Sequence, residues 1–426
     1  MKRRRPLFVL GIDGLPVPLL ERWKREGRRP ALSRIGERYG LRSMDSSLPE
    51  VSSVSWTTFF TGKNPGEHGL FGFYDLDPKS YAPRFPTFPG LPSKPFWEEE
   101  AERGGRSVVL NVPSTYPARP YPGELVSGFV ATEMEKAVYP STLLPLLREE
   151  RYSLDNDIPL AKERPQAFLE SLKEDLEARW RVFERLSSSP WDLFFFVVTE
   201  TDRLQHFFWE GVEGRGPWAE GVESFYSLLD RKVGALVEGL ETRGIPFLLL
   251  SDHGFDGVKE DAYLNPLLER WGYLDRGGGR EFTSLREGTT AFALDPGRIY
   301  LHRESRFSRG RVRESECEPL AKELASRFLQ WEENGVRPIS RVFFRDEVYR
   351  GEFSSQAPDL LLLPGEGYDL KAGITKSVIL GAPRGDGRHT RSGAFLIDGG
   401  VDLRLPAGLD VERVGAALRL RLGEVW

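Results

Sequence analysis

Cysteine is almost missing from this chain of 426 residues: Cys317 is the only one. A single thiol excludes an internal disulfide framework, a Cys-ligated zinc finger and an iron–sulfur cluster. Histidine is scarce as well, with five copies, so any metal site here must lean on carboxylates. No run of 18 uncharged apolar residues occurs, and no transmembrane helix is expected. An excess of positive charge is also lacking. The 59 Lys+Arg stand against 64 Asp+Glu, a net charge of −5, which argues against a general nucleic-acid scaffold. There is no internal repeat, low-complexity tract or linker-like shift in composition.

The basic residues 2–5 and the apolar run after them look briefly like a signal peptide. That run ends at Asp13, and no small-residue cleavage site follows. We read it as a buried first strand behind a solvated basic tip, in a chain expected to be cytoplasmic. With 39% hydrophobic and 29% charged residues, the composition is that of an ordinary globular protein.

Apolar strands and helical stretches alternate along the chain. LFVLGIDG (7–14), RSVVLNVP (106–113), WDLFFFVVTETD (191–202), PFLLLSDHGFDG (246–257), APDLLLLPGEG (357–367) and SGAFLIDGG (392–400) read as buried strands. Short continuous apolar runs that end in polar residues are what buried parallel strands look like. The pattern predicts an α/β fold with a doubly wound, mostly parallel central sheet and helices on both faces. We expect one domain over 1–426, with insertions at about 74–94, 113–165 and 256–390 over the strand ends.

In open α/β sheets, ligands sit beyond the carboxyl ends of the strands. Four such exits carry polar clusters: Asp13-Gly14, Thr199 to His206, Ser251 to Gly254, and Asp386 to Gly393. Asp202 and His206 are four apart, so on a helix they face one way, a spacing suited to two ligands of one metal. Asp252-His253 can converge where the backbone turns. An isolated Asp-His pair is more often a surface interaction; the weight lies in all of them falling at strand exits. A hydroxyl-rich stretch, VSSVSWTTFFTG (51–62), adds a candidate nucleophile, because a metal-coordinated hydroxyl ionises near neutral pH.

These motifs, in this order, resemble the alkaline phosphatase superfamily, on its branch of type I phosphodiesterases and nucleotide pyrophosphatases. GIDG, VSSVSWTTFFTGKNPGEHGLFGF, NVPSTYPARPYPGELVSGF, TDRLQHFFW, SDHGFDG and GRHTRSGAFLIDGG carry the resemblance over most of the chain. It implies a phosphohydrolase or phosphomutase with two divalent ions, Zn²⁺ or Mn²⁺. One ion would be held by Asp202, His206 and His389. The other would be held by Asp13, Asp252 and His253, with Ser52 as the nucleophile and a further ligand. Ser52 stands ten residues before Gly62, the spacing the family keeps; Ser53 and Ser55 are the fallback positions. The expected partner is a small-molecule phosphate ester.

Two departures bear on substrate. Diesterases of this branch commonly use Thr as nucleophile, whereas this chain has Ser, as phosphatases and phosphomutases of the superfamily do. The Asn that contacts phosphate after the family's His-Gly is missing, because the corresponding stretch reads Leu70-Phe71-Gly72-Phe73. Arg388, Arg391 and Asn64 are candidate substrate contacts, the arginines through bidentate hydrogen bonds. Trp56, Phe71, Phe73, Tyr74 and Trp209 are candidates for stacking on an aromatic leaving group. His68 is expected to be structural, and His302, in RIYLHRE, to lie at an exposed strand end. Cys317 lacks the arginine-containing context of a sulfatase formylglycine. A mutase passing the phosphoryl group to a second hydroxyl, and a binding protein without turnover, are the competing readings.

Overall fold

A computed structural model describes residues 5–424; the basic residues 2–4 of the expected solvated tip lie outside them. Two compact units divide the described chain. The first runs to Lys63, resumes over Thr87–Asp256 and continues from His389; the second comprises Asn64–Pro86 and Gly257–Arg388.

The first unit is built on a nine-stranded sheet. Its strand order is Leu409–Asp410, Arg42–Asp45, Ser392–Gly399, Phe247–Leu250, Leu7–Ile12, Leu193–Val198, Ser107–Val112, Gly123–Ser127, Val138–Tyr139. The five strands from Phe247–Leu250 to Gly123–Ser127 are mutually parallel. Leu7–Ile12, Leu193–Val198 and Ser107–Val112 are buried at every position, as strands covered on both faces must be. The Leu193–Val198 strand shows both faces in three consecutive residues. Phe194 and Phe196 pack on Phe183 of the Pro165–Ser187 helix. Phe195 points the other way, onto Trp56 and Phe59 of the Ser52–Thr61 helix. The doubly wound α/β reading therefore holds.

Three features of the pattern resolve differently from the simplest reading. Ser392–Gly399 runs antiparallel to Phe247–Leu250. It enters the sheet where the parallel strands leave it, so the residues just before it share their end. The Pro/Tyr-rich stretch after Val112 returns to the sheet and supplies its edge, as Gly123–Ser127 and Val138–Tyr139. The leucine-rich run at 360–364 belongs to the second unit, where it pairs antiparallel with two neighbours. A continuous apolar run reports burial on both faces and says nothing about strand direction.

The second unit has its own core, around a four-stranded sheet ordered Ala291–Leu294, Arg298–Leu301, Leu360–Pro364, Ile339–Phe344. The Glu314–Gln330 helix contributes Ala321, Leu324 and Phe328 to that core. Cys317 is buried on the same helix. No helix among the described residues is long and apolar enough to cross a membrane.

Candidate metal centre

Because the central strands are parallel, their carboxyl ends line one edge of the first unit, and each delivers polar residues there. Leu7–Ile12 ends in Asp13, and Phe247–Leu250 runs into Ser251, Asp252 and His253. Leu193–Val198 passes through Thr199 into the Glu200–Val212 helix, whose first two turns carry Asp202 and His206. His389 arrives just ahead of the antiparallel strand. The seven residues expected to act together are gathered in one place, within one unit.

Around Asp202, the Nε2 atoms of His206 and His389 lie 3.4 and 2.9 Å from Oδ1. Those two nitrogens are 2.9 Å apart. Around His253, Nε2 is 3.3 Å from Asp13 Oδ1 and 3.4 Å from Asp252 Oδ2. His253 Nε2 also lies 3.9 Å from Asp202 Oδ1, so the two sets adjoin. Asp13, Asp252 and His253 form one group with metal-ligand geometry, and Asp202, His253 and His389 another.

The ring nitrogens facing away from the centre are tied to carbonyls. His389 Nδ1 donates to Glu50 O at 2.7 Å, and His253 Nδ1 donates to Gly254 O at 3.0 Å. A carbonyl can only accept, so each ring carries a proton on Nδ1 and turns Nε2 inward, the atom that would meet a metal ion. Asp252 is fully buried; Oδ1 accepts from Gly14 N at 3.2 Å, and Oδ2 has no hydrogen-bond partner. Oxygen and imidazole donors with a bare buried carboxylate oxygen fit a divalent ion such as Zn²⁺ or Mn²⁺.

The electrostatics carry the same signature. Burial drives the Asp252 carboxyl well above the usual range, and the neighbouring Asp13 pushes it further. Burial also opposes the His253 imidazolium, yet Asp252, Asp13 and Asp202 outweigh it and hold the ring up to about 10. His389 goes the other way, down to about 4, through burial and the charge of His253. Asp202 is held well below the usual range: burial resists, and His206 and His389 prevail. The His253 imidazolium thus lies among three acid side chains, where a bound cation could take its place.

Ser52 Oγ is 3.1 Å from Asp13 Oδ1 and 3.1 Å from His253 Nε2. It opens the Ser52–Thr61 helix, whose residues are all buried, so its hydroxyl sits at the positive end of a helix dipole. The fallback Ser55 is spent elsewhere, bonding the hydroxyls of Ser46 and Ser47. Ser53 Oγ is buried with no partner.

Sequence reasoning missed Trp56 in the role it takes. Expected as a stacking surface, it is fully buried, and its indole N–H donates to Asp13 Oδ2 at 2.8 Å. Gly11 makes room for it: a Cβ there would lie 2.4 Å from the indole. The adjacency of a tryptophan to the hydroxyl stretch was the available signal. Trp209 stacks on Phe255 at 5.7 Å, and Phe255 packs edge-on against His206 and His389.

The candidate substrate contacts are divided between the two units. Arg391 belongs to the first unit, where its Nη2 lies 3.5 Å from Asp45 Oδ2. Arg388 is buried in the second unit and reaches Gly365 O at 3.5 Å. Asn64 caps the short Pro65–His68 helix, accepting from Gly66 N and donating to Val348 O. Phe71 is buried against Tyr349. His302 is buried between Tyr81 Oη and Thr289 O, rather than lying at an exposed strand end.

Comparison with known proteins gives the geometry a lineage. Phosphonoacetate hydrolase from Sinorhizobium meliloti 1021, solved with phosphonoacetate, matches with a TM-score of 0.64 at 16% identity, covering 98% of this chain and 96% of that one. Murine ectonucleotide pyrophosphatase/phosphodiesterase 5, solved inactive with AMP, matches at 0.58 and 14%, covering 100% and 96%. Alkaline phosphatase PafA matches at 0.57 and 14%, covering 99% and 96%. At such identities these likenesses speak for the fold. No curated protein matches the chain in sequence. The sequence model of one family, however, covers residues 7–391, from the first strand to just past His389, and the chain therefore belongs to the type I phosphodiesterase/nucleotide pyrophosphatase family.

Proposed function

We propose that this chain is a two-metal phosphoric-ester hydrolase working through a phosphoserine on Ser52. Asp202, His206 and His389 would hold one divalent ion, Zn²⁺ or Mn²⁺, and Asp13, Asp252 and His253 the other. The observation that carries the reading is the place of Ser52 Oγ, at a buried helix start and 3.1 Å from one carboxylate and one imidazole of the second set. Bound cations there supply Lewis acidity, which lowers the hydroxyl pKa and neutralises charge building on the phosphoryl oxygens.

The protein's own part is positioning. Trp56 holds Asp13 by one carboxylate oxygen, and Asp13 accepts the Ser52 hydroxyl with the other. The Ser52 hydroxyl gives its proton to solvent and its oxygen attacks phosphorus in line, the ester P–O bond breaks, and the alcohol leaves with a proton from solvent. Water then cleaves the phosphoserine and restores the hydroxyl. Helix N–H groups at the start of Ser52–Thr61 face the developing negative charge. Phosphate mono- or diesters are the substrate class, and the AMP bound by one structural neighbour, itself a phosphate monoester, is compatible with it. Arg391 is the candidate phosphate contact within the same unit.

The test is a panel of aryl phosphate monoesters, diesters and nucleotides assayed with Zn²⁺ and Mn²⁺. Ser52→Ala should cut turnover by roughly four orders of magnitude, as loss of a covalent nucleophile does, with metal content unchanged. Mass spectrometry of acid-quenched wild type should find phosphate on Ser52. Wild-type-like turnover in Ser52→Ala would sink the assignment. Transfer to a second hydroxyl rather than to water would identify a mutase.

A further inference from the structure

The helix that carries Asp202 and His206 bears a second i, i+4 pair one residue earlier, Thr201 and Gln205. At about 100° per residue, that pair occupies the neighbouring stripe of the same two turns. Both side chains are fully buried, and both reach the other metal set. Thr201 Oγ1 donates to the backbone carbonyl of Asp13 at 2.7 Å. Gln205 Nε2 donates to Gly14 O at 3.0 Å and to Thr201 O at 3.1 Å. Two carbonyl acceptors fix which end of the amide faces them. The chain continues from there: Gly14 N donates to Asp252 Oδ1 at 3.2 Å.

Gly14 sits at φ +68°, and a Cβ on it would lie 3.1 Å from His253 Cε1 and 3.3 Å from Gln205 Nε2. The Asp13-Gly14 turn is thus wedged between ligands of one set and the helix bearing the other. A further observation shows why the helix needs this grip. Its regular geometry breaks at Phe208 (φ −137°, ψ 33°), two residues past His206, so the downstream helix gives little help in aiming that ligand.

Resting on the function proposed above, we infer that Thr201 and Gln205 are positioning residues that couple the two metal sites. Their hydrogen bonds to the Asp13-Gly14 turn set the spacing between the Asp202/His206/His389 and Asp13/Asp252/His253 sets. Neither side chain touches substrate; they act through the backbone that carries the ligands. Losing either leaves the ligands present but frees the two sets to move apart.

The experiment is a titration of the metal-free, full-length protein with Co²⁺, followed by its visible absorption band, with Zn²⁺ titration calorimetry in parallel. Thr201→Val and Gln205→Met keep the volume and remove the donor; Thr201→Ser keeps the hydroxyl. Outer-shell partners of metal ligands typically contribute 10–100-fold in affinity. The wild type should bind two ions. In Thr201→Val and Gln205→Met the weaker ion's Kd should rise about 10–100-fold with a shifted Co²⁺ band, and Thr201→Ser should restore both. If one variant does not fold, the other carries the test. Two ions bound with unchanged affinities and spectrum in the folded variants, even with a lower Tm, would overturn this inference alone. A wild-type chain that takes up no divalent ion would overturn it together with the proposed function.

Discussion

The candidate metal centre and the core of the second unit both bury charged residues and histidine, and they treat them in opposite ways. In the second unit Arg298 is fully buried and every nitrogen is used: Nη1 on Asp75 and Tyr300, Nη2 on Tyr74 O, Nε on Asp295 O. His302 there has both ring nitrogens bonded. In the first unit Asp13, Asp202 and Asp252 crowd together around imidazoles, one Asp252 carboxylate oxygen has no hydrogen bond, and two Nε2 atoms face each other at 2.9 Å. Unsatisfied buried charge is costly, and a fold keeps it where something else completes it.

The largest expected effect comes from the incomplete network. Exhaustive chelation should abolish ester hydrolysis and lower the Tm, with both restored by Zn²⁺ or Mn²⁺, because a cation bound only by the folded state stabilises it. Activity or Tm indifferent to chelation would erase the contrast. Next is a pair of opposite signs. Arg298→Met should destabilise the protein by about 3–5 kcal/mol, since it strands the buried Asp75. Asp252→Asn should instead raise the Tm of the metal-free protein, because it removes a carboxylate whose ionisation burial and Asp13 resist, while metal uptake falls. Chemical denaturation and thermal melts of the two variants read both signs directly.

A smaller effect tests an intermediate case, Asp175, which sits near a buried Arg179 already committed to Glu200. Burial pushes its carboxyl up to about 6, with Arg179 opposing. The folded state then holds this proton more tightly than the unfolded state, so its contribution to stability grows as pH falls from about 6 towards 4. The gain should be roughly 2 kcal/mol, allowing for partial exposure. Asp175→Asn should flatten that part of the stability–pH curve, and an unchanged slope would count against the raised value.

Much of the fold was legible because burial on both faces leaves a plain trace. Runs such as LFVLGI and LFFFVV admit few readings other than central strands between layers of helices. Their polar exits marked the site, and all seven expected ligand and nucleophile positions converge there. Direction and partnership were not legible. The 360–364 run and the 392–399 strand look like the parallel strands in sequence but run antiparallel, one of them in a separate sheet. The same limit applied to side chains whose roles depend on what meets them. Trp56 read as a stacking surface and is a buried donor to Asp13, and nothing in the sequence marked Asn64 as the cap of the Pro65–His68 helix.

The sequence alone determined the layered α/β plan, the order of the motifs and the scarcity of thiol and imidazole that confines any metal site to Asp-rich clusters. These are local or compositional properties, set by periodicity and residue chemistry. Tertiary structure decided which acids lack a countercharge, which serine among several lies between Asp13 and His253, and how the Thr201–Gln205 stripe reaches the Asp13-Gly14 turn. Those depend on distances between residues 39 to 238 positions apart, and only packing brings such residues within a hydrogen bond of one another.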